Sequence, residues 1–150
     1  MAFEDDYRFP HVTTAARVAE YEASHDVFGS LLDEVKELSK KKPDATMNAG
    51  KVKIVNRVLQ NLLMVLEGQP DAKYLEALDD DDLPQVSDAV LVMVQFKSAL
   101  ESFKKKHFTH ISGYGHQWIT SELIEEIKAD YEEDHDGDDE DEDEPLQHVS

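Results

Sequence analysis

Residues 86–103 read VSDAVLVMVQFKSALESF, and the secondary structure of this stretch decides the fold. Its centre, Ala89-Val90-Leu91-Val92-Met93-Val94, is six apolar residues in a row, and so much valine suits a buried strand. Two features favour a helix. No Gly or Pro interrupts Val86 to Phe103. Ala89, Met93, Phe96, Leu100 and Phe103 step by four, three, four and three residues, which is a 3.6 period. A helix that is apolar all round in its first half must be covered on most sides, so it is expected to be the centre of a bundle or a subunit contact.

The flanks fit a helix. Asp79-Asp80-Asp81-Asp82 and Leu83-Pro84 precede it, placing acids and a proline at its positive end. Lys104-Lys105-Lys106 follow it, as Lys40-Lys41-Lys42 follow an earlier apolar pattern, and cations favour the negative end of a helix. Working outward, a helix is predicted from Asn48 or Gly50 to Glu67. Val52, Val55, Leu59, Leu62 and Leu66 face inward, Asn56 lies with the solvent side, and Gly68-Gln69-Pro70 form the stop. A helix over 13–24 capped by Thr13 or Thr14, and a second over 27–41 capped by Asp26, precede it, with Pro43 closing the second. A short helix over 71–78, a loop over 108–115 around Gly113-Tyr114-Gly115, and a last helix over 117–131 complete the pattern, with Ser121 as a rival cap. No strand-turn-strand signal of the Asn-Gly kind is present. The expected architecture is all-α: a compact bundle of five to six helices over residues 13–131, an irregular arm over 1–12 and a disordered acidic tail over 132–150.

Charge is the second strong signal. The 150 residues carry 34 Asp and Glu against 15 Lys and Arg, a formal net charge of -19. Residues 131–150 hold 11 of the acids and no Lys or Arg, including the run Asp138, Asp139, Glu140, Asp141, Glu142, Asp143 and Glu144. Seven adjacent carboxylates repel one another and bury nothing, so this segment is expected to stay extended and solvated. A field of this sign disfavours direct nucleic-acid binding, which gains affinity by releasing counterions with Lys and Arg. No apolar run approaches the roughly 20 residues needed to span a bilayer. The first residues, Met1-Ala2-Phe3-Glu4-Asp5-Asp6, lack a secretory signal pattern, and a cytoplasmic protein is expected. The absence of Cys excludes disulfides, thiolate zinc sites and cysteine nucleophiles.

Motifs for catalysis are sparse. Ser24-His25-Asp26 contains triad residue types, but sequence neighbours point apart and a triad needs convergence from separate segments. His107, His110 and His116 form the pattern closest to a metal site, although no His-Glu-x-x-His motif accompanies them. A metal-dependent enzyme built on these histidines is one alternative reading, and a homo-oligomeric structural protein is another. The favoured expectation is a non-enzymatic acidic interaction module that requires no cofactor and binds a basic protein partner, with mimicry of DNA as one version. Its contacts are expected from Asp79, Asp80, Asp81, Asp82 and the run 138–144. Acidic tails of this composition occur in chaperones, DNA mimics and assembly factors, an analogy of composition only.

Overall fold

The computed structural model describes residue 9 and residues 11–133. Residues 86–103 are helical, within α3 below, and no part of the valine run pairs as a strand. The chain is mostly helical, but it is not an all-α bundle of five to six helices. Four helices and one antiparallel hairpin make up the described residues: α1 (Ala15–Lys41), α2 (Ala49–Val65), a single 3-10 turn (Pro70–Ala72), α3 (Val86–His107), β1 (Phe108–Ile111), β2 (Gly115–Trp118) and α4 (121–133). The expected arm, apart from Phe9, His11 and Val12, and the tail beyond residue 133, lie outside the described residues.

The two helices expected before residue 42 are one helix of 27 residues. Val18, Tyr21, Ser24, Phe28, Leu32 and Val35 are all buried along it, so the inward stripe runs straight through Ser24-His25-Asp26. Ser24 is small enough to occupy a core position, and no proline forces a break. Asp26 is therefore an exposed mid-helix residue and not a cap. The cap is Thr14, whose hydroxyl accepts from the Arg17 amide at 3.2 Å. Gly29 sits in this helix, and a Cβ there would meet no atom within 4 Å. Gly29→Ala is expected to stabilise the protein by about 1 kcal/mol, since it removes only the backbone freedom of glycine. A higher urea midpoint with an unchanged slope would report it.

Helix α2 follows its periodicity closely. Asn48 caps it by accepting from the Lys51 amide at 3.1 Å, and Gly68 beyond its end takes a φ of +83°. Val52, Val55, Leu59, Leu62 and Leu66 are all buried. Asn56, expected on the solvent side, is buried too, for a reason the sequence of α2 alone does not contain. After the 3-10 turn, residues 73–74 form a turn and residues 75–79 have no regular secondary structure, where a helix over 71–78 was expected. The Asn56 side chain donates to the Leu78 carbonyl and accepts from the Leu78 amide, both at 2.8 Å. One amide thus satisfies both backbone groups of a buried residue that has no secondary structure of its own.

Helix α3 buries Ala89, Met93, Phe96, Leu100 and Phe103, the predicted stripe, against α1 and α2. Its first half is less covered than its composition suggests, since Leu91 is 64% exposed and Val94 39% exposed. Its entry is fixed by the α1–α2 loop: Met47 donates to the Pro84 carbonyl at 2.8 Å and Val86 donates to the Ala45 carbonyl at 2.9 Å.

The expected loop over 108–115 is a hairpin. Phe108 pairs with Trp118, Thr109 with Gln117, His110 with His116 and Ile111 with Gly115. A three-residue connection, Ser112-Gly113-Tyr114, closes it, with φ values of +88° at Gly113 and +76° at Gly115. Longer hairpin loops use glycine at such left-handed positions, so the turn signal was Gly-Tyr-Gly and not Asn-Gly. The hairpin consumes Gln117 and Trp118, and Ile119 and Thr120 follow it, which delays α4 to residue 121. Thr120 caps α4, its hydroxyl accepting from the Leu123 amide at 3.0 Å. The chain before α1 docks here: Thr13 donates to the Ile119 carbonyl at 2.9 Å and accepts from the Ser121 amide at 3.0 Å. Phe9 then joins Ile111, Ile119, Ile124 and Ile127 in a second small core. Its ring covers the protein's own body, while Phe3 and Tyr7 lie outside the described residues.

Candidate functional site

The sequence singles out the histidines and the acidic knot, and the fold adds a third group of side chains. The histidines come first. His107 is the last residue of α3 and is 4% exposed. Its Nδ1 donates to the His11 carbonyl at 3.0 Å, which leaves Nε2 to accept from the Gln69 amide at 3.4 Å. Its ring lies 4.6 Å from that of Phe103. His110 and His116 are opposite one another on the hairpin, with ring centroids 5.4 Å apart in an edge-on arrangement. The fold therefore brings His110 and His116 together and turns His107 into the core. Among the described residues these three do not form a common ligand set.

Burial pushes the His107 imidazole below its ordinary value, against a smaller upward pull from its bond to the His11 carbonyl; the charges of His11, Lys106 and Arg17 add to the lowering. The neutral ring is the form the fold uses. A depressed folded-state value means that the unfolded chain takes up the proton first, beginning near 6.5, so this contribution is present at neutral pH and is lost as pH falls through the folded value. The melting temperature is expected to drop between pH 7 and pH 5, and His107→Gln is expected to flatten that drop. Equal pH dependence in both proteins would show that His107 is not its source.

The acidic knot forms a second group. Asp79, Asp80 and Asp81 present carboxylate oxygens within 4.8 Å of one another, all exposed. The Asp79 carboxylate accepts from the amides of Asp81 and Asp82, both at 2.9 Å, and these bonds, that from Asp82 foremost, hold its carboxyl below the usual range. The knot is thus a turn closed by its own first side chain, leading toward α3. The run Asp138 to Glu144 lies outside the described residues.

The third group is α1 itself. Glu22, Asp26, Asp33 and Glu37 are all exposed, and their offsets of 4, 11 and 15 residues place them on one face of the helix. They span about 22 Å at 1.5 Å per residue. Lys40 pairs with Glu37 at 2.9 Å, and His25 lies 3.3 Å from Asp26. This row was missed because the stretch was read as two helices with a break at Asp26. The row needs a continuous helix to exist. Its orientation is fixed by an aromatic cluster, in which Tyr21 packs on Phe103 at 5.6 Å and on Trp118 at 5.1 Å. Elsewhere Glu122 accepts from the Ala15 amide at 3.0 Å and so serves the start of α1; that bond is the main reason its carboxyl is lowered.

Every Asp and Glu in residues 11–133 is exposed. Among the described residues no helix is long and apolar enough to cross a membrane. Compared with known proteins, the chain matches no protein-family model, no curated protein and no solved structure.

Proposed function

We propose that this chain is a non-enzymatic interaction module whose carboxylates engage a basic partner protein. The observation that supports this reading is the row Glu22, Asp26, Asp33 and Glu37 on one rigid helix. Carboxylates held at fixed spacing lose little freedom on binding, whereas carboxylates on a segment without fixed structure must be ordered first. A partner with cations at matching spacing gains register as well as attraction, and the same feature underlies the DNA-mimic version. The net charge of -19 adds long-range steering, which salt screens over about 10 Å.

A labelled lysine-rich peptide, titrated by fluorescence anisotropy, tests the reading. Raising salt from low to physiological strength is expected to weaken binding by about tenfold or more. The combined variant Glu22→Lys, Asp26→Lys, Asp33→Lys, Glu37→Lys is expected to lose most of the affinity, and removal of residues 134–150 to lose less. Binding that ignores salt, or that disappears with the tail while surviving the four reversals, would overturn the reading.

Leu91 and Val94 favour a second reading, a homo-oligomer joined through the uncovered side of α3. Sedimentation at high protein concentration decides it, and a clean monomer removes it.

A further inference from the structure

One cleft stands apart from the acidic surface. It measures about 370 Å³ and lies where the chain before α1, the end of α3 and the hairpin meet. Lys105 and Lys106 line one part of it, and among the described residues no carboxylate lines it. In a chain with more than twice as many acids as Lys and Arg, a concave site whose described lining holds two lysines and no acid is a local reversal of the charge pattern. Asp71 accepts from Lys106 Nζ at 3.0 Å but belongs to a neighbouring hollow and not to this one. The helix dipole alone does not account for the arrangement. Any cation in the last turn of α3 would offset it, and Lys104, which stands 5.3 Å from the centre of the Phe108 ring, already does so outside the cleft.

The remaining lining defines the ligand. Thr109, Ser112, His11 and His110 are its other polar lining residues, with hydroxyls on Thr109 and Ser112, and the buried residues Phe9, Ile111 and Ile119 supply an apolar wall. Lysines with hydroxyls form a set of separated donors around a compact charge. That suits a tetrahedral phosphate, whereas a planar carboxylate is matched best by the fork of an arginine, and none is among the described lining residues. The volume is in the range of small-molecule pockets. The overall negative field repels a polyanion such as nucleic acid far more than a single small anion. We propose that this cleft is a binding site for a phosphate monoester carrying a small apolar body, with the phosphate at Lys105 and Lys106 and the body against Phe9, Ile111 and Ile119.

Phenyl phosphate, titrated into isotope-labelled full-length protein and followed by amide and imidazole NMR shifts, tests this. Saturable shifts are expected at His11, Thr109, His110 and Ser112. Lys105→Glu is expected to weaken binding by about tenfold, while Lys97→Glu, on another face of α3, leaves it unchanged. Lys106 is left intact because it also holds Asp71. Inorganic phosphate is expected to bind several-fold more weakly than phenyl phosphate. The absence of saturable shifts, or equal losses in the two lysine variants, would overturn the site. Equal affinity for the two phosphates would overturn the apolar wall, and tighter binding of a short oligonucleotide through the same residues would overturn the small-ligand assignment.

Discussion

Phe103→Ala is expected to destabilise the protein by about 3–5 kcal/mol, measured by urea unfolding followed by circular dichroism. Phe103 is 1% exposed and lies where α1, α3 and the hairpin meet. Its ring packs on Tyr21 at 5.6 Å, Trp118 at 5.9 Å and His107 at 4.6 Å. Truncation removes the burial of a large ring and leaves a cavity whose walls come from three elements, so collapse of any one of them does not fill it. For a domain whose total stability is of order 5–15 kcal/mol, the loss is a large fraction. Because the same cluster orients α1, the variant is also expected to broaden the NMR signals of the hairpin. A loss below about 1 kcal/mol would show that the aromatic cluster is not a joint between the elements.

Asn56→Leu is expected to cost about 2–4 kcal/mol even though it adds apolar volume at a buried position. The Leu78 amide and carbonyl each have the Asn56 side chain as partner at 2.8 Å, and Leu78 is itself only 6% exposed. The substitution removes both partners at once and leaves two backbone groups desolvated and unbonded. Asn56→Asp separates the contributions: it keeps the acceptor for the Leu78 amide, loses the donor to the carbonyl and places a charge in the core, so it is expected to be at least as harmful at neutral pH. A near-neutral Asn56→Leu would mean that the segment around Leu78 finds water or other backbone partners without cost. Hydrogen exchange at the Leu78 amide, slow in the parent protein and fast in the variant, provides a local readout.

These two residues mark the boundary of what sequence periodicity conveys. Phe103 was legible: it stands in step with Ala89, Met93, Phe96 and Leu100, and a stripe at 3.6 spacing buries its members whatever packs against them. Asn56 was not, because its burial depends on a segment 22 residues away whose backbone needs a partner. The break placed at Asp26 failed for a related reason. Ser-His-Asp is compatible with a cap and with a helix interior, and the core that accepts Ser24 decides between them. The histidine pattern shows the same limit. A spacing of three residues between His107 and His110 brings side chains together only on a helix, and the change to a strand at Phe108 sends one ring inward and leaves the other facing His116.

The sequence by itself determined that the stretches predicted from Asn48 or Gly50 to Glu67 and from Val86 to about Lys106 are helical over most of their length, that the stripes Val52, Val55, Leu59, Leu62, Leu66 and Ala89, Met93, Phe96, Leu100, Phe103 are buried, and that carboxylate is in excess, because periodicity and charge are properties of the local chain. Only the tertiary structure decided that α1 is continuous, that residues 108–118 form a hairpin, that Asn56 turns inward and that Lys105 and Lys106 line one cleft with Phe9, Ile111 and Ile119. Each of those outcomes depends on which distant group is available to satisfy a backbone bond or cover a ring, and that availability exists only once the elements have packed.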